Sequence, residues 1–234
     1  GKFYSIFALL FGMSFAIMMN NAAAKGGNFT GRFLWRLTLL LMFGIVHSLV
    51  YRGDILVVYV VIGFTLPLFY RFPDKWLWAI SAAFFLGAGR FLFFAITGKA
   101  SLLSWDNTPT SPEVIAYVEV LKTASFWDVV KVNFPYMYTG KFDFQFGIFG
   151  RGYFTLAYFL TGMYVIRCGI VHKLASYKPR IKRLMFWSLG LTIIFYALTA
   201  AAFSQIDEEN FDMNSWSSVL SYNIFDLTNL GTTV

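Results

Sequence analysis

The stretch from Phe33 to Tyr51, FLWRLTLLLMFGIVHSLVY, constrains this chain more than any other. Its nineteen residues are about what a helix needs to cross the core of a bilayer. Yet it carries Arg36 and His47, and Asp54 stands just beyond its end in RGDIL. Ionisable groups at membrane depth are costly and mark a candidate site. Arg36 and His47 are eleven residues apart, which at about 100° per residue puts them within about 20° of one face, three turns apart. A continuation of the helix brings Asp54 onto the same stripe. The spacing therefore predicts a polar seam that faces protein rather than lipid.

The rest of the composition agrees with a membrane setting. Hydrophobic residues make up 58% of the chain and charged ones only 13%, far from an ordinary soluble domain. The net charge of +7 does not call for nucleic acid, because the cations sit in short loops beside apolar runs, where the positive-inside bias accounts for them. A single cysteine, Cys168, rules out an intramolecular disulfide and a cysteine-cluster metal site. With only His47 and His172 present, a multi-histidine metal centre is also excluded, so no metal is expected.

Taken in order, the chain reads as an all-α polytopic transmembrane bundle of six spans and a truncated seventh. The spans are expected near 3–19, 33–51, 54–69, 76–97, 148–171 and 184–203, with the last beginning near Trp216. Gly12 and Ser14 in the first are small residues that let another helix approach. Arg52-Gly53 makes the second and third spans an antiparallel hairpin. Residues 99–147 form an extracytoplasmic insertion, with Pro109 and Pro112 capping an amphipathic helix that starts at Glu113 and breaks near Ser125. We expect residues 1–234 to be one transmembrane domain and an interior piece of a longer protein, since the chain opens at Gly1 and stops inside an apolar run.

Loop charge gives the orientation. Lys173, Lys178, Arg180, Lys182 and Arg183 place the 172–183 loop in the cytoplasm. Counting spans puts Lys25, Arg32, Arg71 and Lys75 on the same side, and Arg52, residues 99–147 and the acidic 204–215 loop outside. His47 then lies about one turn below the outer surface.

Each polar residue has a chemical and a structural reading. An imidazole with an unperturbed pKa of about 6.5 accepts and returns protons near neutrality, so His47 suits a general base; the alternative is a histidine bonded to a neighbouring helix. Arg36 has the donor fork for phosphate or carboxylate, or else snorkels to cytoplasmic headgroups. Asp54 either orients His47 or caps the next helix. Arg90 is deep enough to need a partner, which Asn223, Asp226 or Asn229 in the last span can supply. Arg151 is interfacial, and Cys168 and His172 are inert.

KFYSIFALLFGMSF, the run from Arg32 through FLW-RLTLLLMFGIVHSLVYRGDILVVYVVIGF, and FTLAYFLTGMYVIRCGI together resemble the YeiB-like bacterial membrane proteins, a family labelled a domain of unknown function. That family is similar to transmembrane acyltransferases of the heparan-glucosaminide acetyltransferase-like and acyltransferase-3-like kinds. In the latter an arginine, ten residues and a histidine lie in one membrane helix, as Arg36 and His47 do here. The resemblance implies that His47 is the catalytic position and Arg36 its companion, in a multi-pass protein of the bacterial inner membrane.

Two functions compete, and a third possibility is a structural or sensory membrane protein whose polar seam only ties helices together. In the first, a membrane acyltransferase takes an acyl group from cytoplasmic acyl-CoA, a co-substrate rather than a tightly bound cofactor. Arg36 and Arg90 handle its polar end, while His47, aided by Asp54, activates a sugar-like hydroxyl acceptor. The roughly 16 Å between Arg36 and His47 suits an extended pantetheine arm. The second is a transporter for ions or small solutes, which predicts discontinuous helices and paired repeats; the sequence shows neither. The bilayer is the expected partner in both, and the sequence does not fix an oligomeric state.

Overall fold

The computed structural model describes residues 2–103, 111–123, 125–138, 140–204, 212 and 214–231. All regular structure among them is helical: α1 Lys2–Ala24, α2 Thr30–Val50, α3 Leu56–Gly63, α4 Leu66–Phe69, α5 Asp74–Phe85, α6 Ala88–Thr97, α7 Pro112–Thr123, α8 Phe126–Tyr138, α9 Gly140–Phe146 and α10 Gly152–Arg167. A 3-10 turn at Val171–Lys173 leads into α11 Leu174–Ser204, and α12 covers Trp216–Gly231. Most of the acidic 204–215 loop lies outside the described residues.

Among the described residues, three helices are long and apolar enough to cross a membrane: Phe3–Ala24, Thr30–Val50 and Ala175–Ala201. A fourth is present if α5 and α6 count as one span, but they are bent by 65°. The continuous span expected over 76–97 is thus broken at Leu86-Gly87. Gly87 takes φ +96°, and a Cβ there would lie 2.0 Å from Asn223 Oδ1, so only glycine fits the bend. The expected 54–69 span is shorter than a full crossing and divides into α3 and α4. The basic stretch read as a loop at 172–183 is mostly the opening of α11, which runs through Pro179.

The core is built where α1, α2, α3 and α10 meet, with Phe15, Phe33, Tyr59, Phe159, Leu160 and Met163 buried together. Phe15 and Phe33 rings lie 4.5 Å apart, and Phe11 stacks on Phe159 at 4.6 Å. The closest approach in this core is between α1 and α10. A Cβ on Gly12 would sit 2.0 Å from the Phe159 carbonyl oxygen, and one on Gly162 would sit 2.2 Å from that of Leu9. Small residues let backbones touch where lipid tails remove the hydrophobic drive for association. Ser14, expected to share this role, is exposed instead.

Polar contacts separate the two ends of the bundle. At one end Tyr70 donates to Asn20 Oδ1 (2.8 Å), while Arg167 bonds the carbonyls of Tyr70 (3.2 Å) and Phe72 (2.9 Å) and pairs with Asp74 (2.8 Å). Residues 49–54, 133 and 141 gather at the other. Where the insertion is expected to hold an amphipathic helix broken near Ser125, α7 ends at Thr123 and α8 begins at Phe126.

Replacing Gly12 or Gly162 by Leu is expected to lower stability by about 3 kcal/mol, since backbone must move to admit the side chain. Ser14→Leu should change it by less than about 0.5 kcal/mol. Thermal unfolding of the three variants in detergent checks the contrast.

Candidate functional site

The second helix ends where it does because Tyr51 turns extended, with its N–H donating to the His47 carbonyl (2.8 Å). Arg52 and Gly53 then reverse the chain, and Asp54 N–H donates back to the Tyr51 carbonyl (3.3 Å). This turn lets the Asp54 carboxylate reach both the helix it leaves and the one it starts. Its Oδ1 lies 2.8 Å from His47 Nδ1 and accepts from the Leu56 N–H (3.2 Å); its Oδ2 accepts from the Val57 N–H (3.2 Å). One carboxylate thus bonds the imidazole of α2 and two N–H groups at the start of α3.

A fourth donor comes from far along the chain. Lys141, in α9, is buried and places Nζ 3.3 Å from Asp54 Oδ2. Nearby, Asn133 of α8 donates to the Leu49 carbonyl (2.9 Å), one of the acceptors left open at the end of α2. The Arg52 guanidinium lies between two rings, 3.5 Å from the centroid of Tyr136 and 3.9 Å from that of Tyr117. The insertion is thus pinned to the α2–α3 turn at three points.

Burial by itself pushes the Asp54 carboxyl up, but the bond from His47, the Val57 N–H, the Lys141 charge and the Leu56 N–H outweigh it and hold it below its ordinary value. For Lys141, burial pulls the ammonium down, and Asp54 opposes this only in part. An ionised carboxylate only accepts hydrogen bonds, so His47 Nδ1 must carry the proton that joins the pair. In the neutral imidazole Nε2 then keeps its lone pair. The His47 side chain is 51% exposed while that of Asp54 is 0% exposed, so a buried carboxylate holds a half-exposed imidazole.

Arg36 does not join this group. Phe33, Leu37, Gly44 and Ser48 form the buried face of α2, and Arg36 and His47 share a stripe on its flank. The expectation that this stripe faces protein is corrected: both side chains are on the exposed side, because the apolar and small positions are the ones turned to the core. Arg36 Nη1 lies 3.1 Å from Met18 Sδ. Arg90 belongs to a different cluster. It is 1% exposed, ion-paired with Asp226, and donates to Asn223 Oδ1 (3.3 Å). Its guanidinium is engaged within the protein, against the expectation that it meets a cofactor. The Asn229 side chain lies outside the described residues.

Lys141, Asn133 and the Arg52 clamp were not foreseen. Lys141 sits in an aromatic run that reads as interfacial, 87 positions from its partner, and no local spacing connects the two. Among the described residues no three His, Cys, Asp or Glu side chains are grouped to hold a metal ion. His172 is exposed and Cys168 is a free, half-buried thiol.

Fold and site together describe an all-helical protein with apolar helices long enough for a membrane and a polar cluster at one end. No family model matches the chain, and no solved structure matches it. It is similar to "Uncharacterized protein YxaH" of Bacillus subtilis, 35% identical over 122 residues, covering 51% of this chain and 28% of that protein. It is also similar to "Uncharacterized 39.9 kDa protein in amylase 3'region" of Bacillus acidopullulyticus, 37% identical over 74 residues, or 32% of this chain and 21% of the relative. The matched region is therefore under a third of either curated relative.

The pH response of the fold should reveal the Asp54 cluster. Because the folded-state pKa lies below the ordinary 3.8, the stability Asp54 contributes is complete above that value and is lost as pH falls through the folded pKa. Asp54→Asn leaves Lys141 without its buried counter-charge and should cost on the order of 3 kcal/mol at pH 7. Below the folded pKa the two proteins should converge. Unfolding curves from neutral to strongly acidic pH measure both.

Proposed function

We propose that this chain is part of a YeiB-like membrane acyltransferase of the bacterial inner membrane, with six spans and part of a seventh. The bond from His47 Nδ1 to Asp54, which leaves Nε2 accessible, is the observation that carries the reading. His47 Nε2 takes the proton of an acceptor hydroxyl, here a sugar-like alcohol. The oxygen attacks the thioester carbonyl of cytoplasmic acyl-CoA, the carbon–sulfur bond breaks, and the imidazolium returns the proton to the departing thiolate. Asp54 stabilises the imidazolium, as a carboxylate beside a catalytic histidine does, and Lys141 holds Asp54 in place. Arg36, about three turns away on the same stripe, meets the polar end of the donor.

A transporter is the second reading, favoured by one observation. The 65° bend between α5 and α6 is the discontinuity that such proteins use, and the buried Arg90–Asp226 pair lies just past it. Paired repeats would be needed as well.

Acyl transfer from acyl-CoA to a sugar acceptor, measured with the purified full-length protein, tests the proposal. His47→Ala is expected to reduce the rate by about a hundredfold or more. Arg36→Ala should act mainly on the donor's KM. Wild-type transfer in both variants would sink the assignment, and loss of labelled-solute uptake in Arg90→Ala without any acyl transfer would favour the second reading.

A further inference from the structure

We propose that the opening of α11 is a binding collar for anionic phospholipid headgroups. Residues 172–204 contain no Asp or Glu, while Lys173, Lys178, Arg180, Lys182 and Arg183 fall within its first part. All five side chains are exposed. The next turn presents Leu184, Met185, Phe186 and Trp187, also exposed, and no residue in the apolar window of Ala175–Ala201 is buried. Charge, then an aromatic turn, then an apolar rod is the order in which headgroups, interface and acyl chains follow one another.

The arrangement of the cations separates a headgroup layer from a compact anion. With Lys178 set to zero, Lys182 stands at about 40°, Arg183 at about 140° and Arg180 at about 200° around the helix. Groups spread over more than half the circumference cannot converge on one phosphate, but they can each meet a separate headgroup in a surrounding layer. Arg180 also lies over the Tyr177 ring, 5.4 Å from its centroid, which holds one of the cations against the helix. The inference rests on α11 as a membrane span and is independent of any reaction at His47.

Native mass spectrometry of the intact protein in detergent, with equal amounts of phosphatidylglycerol and phosphatidylcholine, tests it. Wild type should retain phosphatidylglycerol preferentially. The K178Q/R180Q/K182Q/R183Q variant should lose that preference by about tenfold or more, and the charge-keeping K178R/R180K/K182R/R183K variant should keep it. Rising salt should weaken the preference in wild type, a measurement that decides the matter even if the glutamine variant does not fold. Equal retention of the two lipids by wild type, or an unchanged preference in the glutamine variant, would overturn the collar. Displacement of phosphatidylglycerol by inorganic phosphate at constant ionic strength would overturn it too, by assigning a compact anion site.

Discussion

One carboxylate, buried at the turn between α2 and α3, receives donors from three parts of the chain. Two are the N–H groups at the start of α3, one is an imidazole on the last turn of α2, and one is an ammonium from α9. A buried carboxylate without such partners would be protonated or expelled. With them it is an anion, and it fixes the relative position of everything it touches. The hairpin, the insertion above it and the orientation of His47 depend on the same two oxygen atoms. Asn133 on Leu49 and Arg52 between Tyr117 and Tyr136 fasten the same end at separate points.

The opposite end is tied differently. Arg167 gathers the carbonyls of Tyr70 and Phe72 together with the Asp74 carboxylate, and so ties α10 to the loop that precedes α5. Between the ends, contact rests on shape: Gly12 and Gly162 let α1 and α10 touch through backbone, and aromatic rings fill the space on either side. Polar anchoring at the rims and close packing in the middle suit a medium that offers no hydrogen bonds of its own.

Much of this was readable from residues alone, and the reasons it was or was not are local. Helical periodicity and apolar length gave α1, α2 and the later part of α11, because those signals are carried by consecutive residues. The 20° relation of Arg36 and His47 followed from the helix repeat, and the Arg52-Gly53 reversal made Asp54 a neighbour of His47. What the repeat does not reveal is which stripe faces the core. That was decided by Phe33, Leu37, Gly44 and Ser48, whose partners lie on α1 and α3. The bend at Gly87 was equally hidden, since AFFLGAGRFLFF reads as continuous and its break depends on Asn223, more than a hundred positions later. Lys141 was missed for the same reason.

The bend has a mechanical implication. Asn223 donates through Nδ2 to the Leu86 carbonyl (3.2 Å) that the interruption leaves open, and accepts through Oδ1 from Arg90, whose charge is met by Asp226 one turn further along α12. Sliding α12 along its axis would at once strand a peptide oxygen and unmask two opposite charges in an apolar surround. The final helix and the kinked segment are therefore geared together, so that rotation of one about the hinge carries the other with it.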